Sequence, residues 1–279
     1  MARLYALTAR GPVPVAAPPK ARECEDTHAL FSSLPEGVYS GLRTYQGHFL
    51  RLDDHLARTE QSMQLSGWSR ALDRKALRRA LDALAREDPE NKRVRFDVLE
   101  APHAGFDVYI GIGRLVPVPE AVLRLGARVA VARGLRRTSP LIKTTNFVTA
   151  RRQFVERDAT AYEHVMIDED ERLLECVSSN IYGVRNGTIY TAATQVLEGI
   201  TRRIVLELAA AHGIPVRLEP VALAEIDTLD EAFLTSSTRE VVPVTRVENV
   251  VVGSGKPGPI SNQLLAAYRR YAAEHARPA

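Results

Sequence analysis

Leu141-Ile142-Lys143-Thr144-Thr145-Asn146 and Leu174-Glu175-Cys176-Val177-Ser178-Ser179-Asn180-Ile181-Tyr182 bracket the segment that decides how this chain is read. The first sets a lysine inside an apolar run; the second ends an apolar run on a glutamate. Leu197-Glu198-Gly199-Ile200-Thr201-Arg202 follows and completes a set of three. Burial disfavours the ammonium form of a lysine, and the free amine then condenses with an aldehyde to a Schiff base. A buried carboxylate keeps a heterocyclic nitrogen protonated, and a helix N-terminus holds a phosphate. Each residue alone has a plainer role: a lysine stem covering apolar surface, a strand-end glutamate in water, a glycine capping a turn.

One ligand needs an amine, an acid and a phosphate cradle together, and that ligand is pyridoxal phosphate. At these residues the chain resembles the class IV aminotransferases, the fold-type IV pyridoxal-phosphate enzymes. That family includes branched-chain and D-amino-acid aminotransferases and aminodeoxychorismate lyase. The resemblance runs from about Gly37 to Tyr268 and is strongest from Lys143 to Pro243. It implies an α+β fold of two domains, a smaller N-terminal α/β domain and a larger C-terminal domain with a β-barrel-like sheet and helices. It also implies a homodimer whose active sites lie at the interdomain cleft and borrow a loop from the neighbour.

Working outward, 279 residues are long for one core and comfortable for two. Hydrophobic residues at 45% and charged residues at 25% are those of a globular protein. A formal charge of +3 is too balanced to point to nucleic acid or a membrane surface as partner. No apolar run is long enough to span a bilayer, and Met1 to Thr8 is too short for an export signal. Cys24 and Cys176 make no disulfide framework, so the expected location is cytoplasmic. The seven histidines show no metal-ligand spacing, and no metal site is expected. Gly253-Ser254-Gly255-Lys256 fails as a phosphate loop, because Pro257 stands where Ser or Thr is needed. Gly111-Ile112-Gly113 lacks the third glycine of a dinucleotide fingerprint.

Residues 2–8 read as a strand, and Gly11 to Lys20, with four prolines, as an extended loop. Strands follow at Gly37–Tyr45, Arg93–Leu99 and Phe106–Ile112, the second alternating Val94, Phe96 and Val98 with polar residues. Asp53 or Asp54 is expected to cap a helix through Ser62, and a second helix covers about Asp73 to Ala85. These make residues 1–115 the N-terminal domain. A proline-stiffened linker spans 116–125, and 126–279 form the cofactor-binding domain. Within it we expect strands at 127–132 and 165–167 and a helix from Phe147 to Ala161. A hairpin about Asn186-Gly187 and a helix from Thr201 to His212 come next. Strands at 233–237 and 241–251 are interrupted by Pro243, and a closing helix runs from Gln263 to His275.

The resemblance assigns roles residue by residue. Lys143 matches the Schiff-base lysine, which also moves the proton at the substrate α-carbon. Glu175, with Ser179 and Asn180 after it, matches the carboxylate that keeps the pyridine nitrogen cationic. Gly199, Ile200 and Thr201 match the helix N-terminus that takes the phosphate; Ser237 and Thr238 match the second phosphate loop. Arg58, in His55-x-x-Arg58-x-x-x-Ser62, matches a phosphate arginine, against the plainer reading of a helix-surface ion pair. Cys176 reads as packing.

Substrate contacts are assigned to Arg43, Tyr39 and Tyr109. Ser40 stands where relatives often carry glutamate. The arginine of the Tyr-x-Arg pattern is absent at Tyr109-Ile110-Gly111, leaving Arg114, Arg136 and Arg137 as stand-ins. The reading is a transaminase with an amino donor and a keto acid as small-molecule partners. Its alternatives are a lyase of the aminodeoxychorismate type and a cofactor-binding homologue without turnover.

Overall fold

The computed structural model of the protein describes residues 2–16, 18, 29–87 and 90–279. Cys24 and part of the expected 11–20 loop lie outside them. Arg3–Thr8 (β1) pairs antiparallel with Gly11–Val15 (β2), so the proline-rich stretch is a strand where a loop was expected. It can be one because β2 lies at a sheet edge, where Pro12 and Pro14 need not donate to a second neighbour. With Gly37–Tyr45 (β3), His48–Phe49 (β4), Lys92–His103 (β5) and Phe106–Arg114 (β6) these form an antiparallel sheet in the order β2-β1-β6-β5-β3-β4.

Period-two alternation gives this sheet two apolar faces. On one, Val38, Leu42, Val94, Phe96, Val98, Ile110 and Ile112 share a core with two helices, Leu52–Leu65 (α1) and Arg74–Arg86 (α2). The helices contribute Leu56, Met63, Leu77, Leu81 and Leu84, each worth about 1.5–3 kcal/mol on burial. On the other, Leu4, Ala6, Leu30, Phe31, Leu99 and Tyr109 cluster. Gly111 is required there, because a Cβ would overlap the Phe31 ring. Asp73, expected at the start of α2, caps it instead, accepting from the Ala76 N–H at 2.9 Å. The expected cap of α1 is corrected: Arg51, with φ at 51°, holds the N-cap position. Asp53 and Asp54 sit in the first turn, where carboxylates favour the helix dipole.

The chain divides into two compact units: Met1–Val116 with Ile142–Asn146 and Ala272–Ala279, and Pro117–Leu141 with Phe147–Tyr271. Past the prolines come Glu120–Leu125 (α3), Ala127–Val131 (β7), Thr145–Ala150 (α4) and Arg152–Arg157 (α5). Two short helices therefore replace the single helix expected over 147–161. Phe147 is their one buried side chain, and little packing supports a continuous helix there. Glu163–Ile167 (β8), Leu173–Cys176 (β9), Asn180–Arg185 (β10), Thr188–Tyr190 (β11), Ile200–Ala211 (α6) and Val216–Arg217 (β12) follow. Glu231–Ser236 (β13), Glu240–Val247 (β14), Val250–Val251 (β15) and Pro259–His275 (α7) complete the chain.

The second sheet runs β12-β11-β10-β13-β14-β7-β8-β9, and β9 pairs back onto β10. That last pairing closes β7, β8, β9, β10, β13 and β14 into a six-stranded barrel, which leaves those strands no free edge. Val129, Val165, Ile181, Leu234, Val242, Val244 and Val247 form its buried cluster. Pro243 does not interrupt β14 as expected. It pairs with Phe233 on β13, and β7 joins β14 only from Val244 onward, so no partner on that side needs its missing N–H. Among the described residues no helix is long and apolar enough to cross a membrane.

Candidate functional site

In the first unit, residues 142–146 run beside the start of β3, with Thr144 bridged to Val38. The Lys143 carbonyl accepts from Tyr39 N–H at 3.0 Å, and its N–H donates to Ser62 Oγ at 3.3 Å. The lysine backbone is thereby fixed on both sides. Its Nζ lies 4.7 Å from the centre of the Tyr39 ring, a cation–π contact. Tyr39 is buried, and its ring also lies 4.5 Å from the Arg95 guanidinium. Arg95 is bound through two nitrogens to Asp97, each at 2.6 Å, with both side chains almost fully buried. Burial raises the Asp97 carboxyl, and Arg95 pulls it back.

Arg58 is buried on α1 and donates to Ser40 Oγ at 3.3 Å; Ser40 Oγ lies 2.8 Å from His55 Nδ1. Arg58 is thus an interior group, which excludes the surface-pair reading. Burial first, then Arg58 and Lys143, push the His55 pKa well below its ordinary value, so the imidazole is neutral. The unfolded chain takes up this proton near the usual histidine pKa while the folded chain does not. Stability therefore decreases as pH falls below about 6.5, by up to about 1.4 kcal/mol per pH unit. Denaturant titrations between pH 7 and pH 5 should show that slope, and His55→Asn should remove it.

In the second unit, Glu175 and Asn180 face each other across the seam that closes the barrel. Glu175 is 2% exposed. Its Oε1 accepts from Arg137 Nε at 2.7 Å and its Oε2 from Asn180 Nδ2 at 3.4 Å. Arg137 is as buried as its partner, and its guanidinium lies 3.7 Å from the centre of the Phe147 ring. The Arg137 Nη1 is buried with no hydrogen-bond partner among the described residues. Leaving such a donor unsatisfied costs about 1–3 kcal/mol, more for a charged group, so stability alone does not explain this arginine. It was one of three stand-ins for a substrate arginine. Arg114 and Arg136 turn to exposed partners, Glu90 and Glu169.

Asn180 Nδ2 also donates to the Leu197 carbonyl at 3.0 Å, which brings the seam to the start of α6. Gly199 is the N-cap of α6 and has no side chain with which to cap it. Its φ of −66° is ordinary, so glycine is needed here for closeness: a Cβ would overlap Asn180 Oδ1. Gly199→Ala should displace the Asn180 amide and destabilise the protein by about 1–3 kcal/mol, measurable by denaturant unfolding. Ile200 and Thr201, in the first turn, are buried.

Ser237 and Thr238 form the turn between β13 and β14, half-buried. The Arg239 N–H closes that turn onto the Ser236 carbonyl at 3.2 Å. The Arg239 side chain donates to Ser236 Oγ at 3.1 Å, Ser178 Oγ at 2.8 Å and Glu163 at 2.7 Å. Glu163 also accepts from Ser178 Oγ and from Ser179 Oγ, at 2.5 and 3.2 Å. Burial alone would raise the Glu163 pKa; Arg239 and Ser178 bring it below the ordinary range. This ion pair ties the turn to the segment after Glu175, and no local sequence signal marks it. Cys176 is fully buried, and burial followed by Glu163 pushes its thiol well above the usual pKa, as a packing residue requires.

The substrate candidates divide. Tyr39 lies beside Lys143, but the Tyr109 hydroxyl donates to the His103 carbonyl at 2.6 Å. Arg43 stacks on Tyr45 at 4.5 Å, on the strand that carries Tyr39. In unit one the structure brings together Lys143, Tyr39 and Arg58; in unit two Glu175, Ser179, Asn180, Gly199, Ile200, Thr201, Ser237 and Thr238 lie on one barrel and the helix attached to it.

The family profile described as "Amino-transferase class IV" matches residues 37–247. A D-alanine aminotransferase of Bacillus licheniformis is 30% identical, over 83% of this chain and 86% of that protein. The branched-chain aminotransferase of Thermoproteus uzoniensis superposes with a TM-score of 0.78 at 22% identity, covering 100% of this chain and 99% of that one. The 4-amino-4-deoxychorismate lyase of Pseudomonas aeruginosa superposes less closely, at 0.68 and 27%, covering 84% and 90%. A match that spans three elements of chemistry and both sheets leaves one conclusion: the chain belongs to the class IV aminotransferases, pyridoxal-phosphate-dependent enzymes of fold type IV.

Proposed function

We propose that the enzyme moves an amino group between an amino acid and a 2-keto acid, with Lys143 as the covalent attachment point of the cofactor. Glu175 partners the ring nitrogen. The phosphate falls to the first-turn N–H groups of α6 at Gly199, Ile200 and Thr201, to the Thr201, Ser237 and Thr238 hydroxyls, and to Arg58. Ser179 and Asn180 hold the Glu175 segment in place. Tyr39 and Arg43 are the stronger substrate candidates, and Tyr109 the weaker. The observation that carries the assignment is the barrel seam: Glu175 faces Asn180, and Asn180 reaches the start of α6, whose N-cap is a glycine without a capping side chain. A buried carboxylate beside open helix N–H groups is the donor set that a phosphorylated pyridine requires.

The chemistry that pyridoxal phosphate supplies when bound is an aldehyde for the amino group and a cationic ring that draws electrons from the substrate α-carbon. The protein's part begins with Lys143, whose fixed backbone lets the side chain swing about a set origin. Its Nζ, once freed by the incoming amine, would move the proton between the substrate α-carbon and the cofactor carbon. The Tyr39 ring gives that amine a resting place. A neutral His55 adds no third positive charge beside Arg58 and Lys143.

Amino transfer is preferred to the lyase reading because the class IV aminotransferase profile matches residues 37–247 and a D-alanine aminotransferase is 30% identical over 83% of this chain. A homodimer and cytoplasmic residence belong to the same proposal, as does a restriction of partners to small molecules, with no nucleic acid or membrane. Mixing the cofactor-loaded protein with single donors, D-alanine first, then L-alanine and branched-chain amino acids, tests it. A donor-dependent change in the cofactor absorbance, reversed by a 2-keto acid, is expected. Loaded protein that responds to none of them would overturn the reading.

A further inference from the structure

We propose that Arg137 is the positioning residue for Glu175, holding its carboxylate as an anion aimed at the ring nitrogen of the cofactor. This rests on the role given to Glu175 above. Burial to the degree seen at Glu175 favours the neutral acid, and a neutral acid makes no ion pair with a pyridinium. A guanidinium at 2.7 Å supplies the opposing charge before any ligand arrives. The guanidinium is oriented by few things: its bond to Oε1 and the face of Phe147 at 3.7 Å. Its Nη1 finds no acceptor among the described residues. An arginine placed for stability would be expected to use that group. One placed to fix a carboxylate oxygen needs only the edge that touches it.

The test uses the apoprotein and two ligands: pyridoxal phosphate, and its carbocyclic analogue with C–H in place of the ring nitrogen. Wild type should prefer the nitrogen-containing ring. Arg137→Gln should reduce that preference by about tenfold or more, and Arg137→Lys should restore part of it. The absorbance of the bound cofactor against pH should shift in Arg137→Gln as well. Equal weakening of both ligands, or an unchanged preference, overturns the inference and leaves Arg137 a structural residue. Should the Gln variant not fold, Arg137→Lys decides: it keeps the charge and loses the planar fork, so a retained or partly reduced preference supports the inference, and equal weakening of both ligands overturns it. Glu175→Gln separates the two claims. If it too keeps the preference, the role of Glu175 is wrong; if it loses the preference while Arg137→Gln does not, only the role of Arg137 is.

Discussion

Lys143→Ala leaves the cofactor-loaded protein unable to process amino donors, with kcat lower by about 10³-fold or more. Two losses combine. The covalent attachment point is gone, and so is the base that carries the proton at the substrate α-carbon. The fold should tolerate the change, because two hydrogen bonds that hold this residue in the first unit belong to its backbone, N–H to Ser62 and carbonyl to Tyr39, and alanine keeps both. Single-turnover mixing with each donor, followed at the cofactor absorbance, reads the chemical step directly. An added primary amine that restores part of the rate would support the proton-transfer role. A variant that turns over at the wild-type rate would end the assignment.

Glu175→Gln is expected to damage stability and chemistry together. It preserves shape and removes the charge facing Arg137, leaving a guanidinium that is 4% exposed without its anion. Breaking one partner of a buried pair costs about 3–5 kcal/mol, which denaturant unfolding of the apoprotein should register. Replacing both, as in Glu175→Gln with Arg137→Met, should recover much of the loss, because the uncompensated charge is then gone. The chemical defect does not recover. With no carboxylate to keep the ring cationic, kcat should remain about 100-fold or more below wild type in single and double variants alike. Recovery of stability without activity separates the ion pair's two functions. Recovery of both would mean that the carboxylate has no part in the reaction.

Much of this molecule was legible before any coordinates. The alternation at Val94, Phe96 and Val98, the leucines of α2 at helical spacing, the Asn186-Gly187 hairpin and the Gly213 stop are local signals, and each element formed where its signal lay. Local signals also misled where context decided otherwise. Pro243 reads as a break, yet it sits inside β14 because β7 joins one residue later. Residues 147–161 read as one helix, yet only Phe147 finds a core.

The candidate site divides in the same way. The order Lys143, Glu175, Gly199-Ile200-Thr201 could be read because each residue type answers one chemical need of one ligand. Arg137 could not be singled out, since nothing in the sequence separates it from Arg136. In the structure Arg136 turns to exposed Glu169 and Arg137 to buried Glu175, thirty-eight residues away. Ser40, His55 and Arg58 likewise meet only because α1 packs on β3. By itself the sequence determined which side chains face inward and which chemistry is carried, because periodicity and residue type are local properties. The closing of β9 onto β10, the parallel joining of β7 to β14 and the charge partner of Glu175 were decided by tertiary structure. Each depends on the register between segments far apart along the chain, and no local pattern encodes that register.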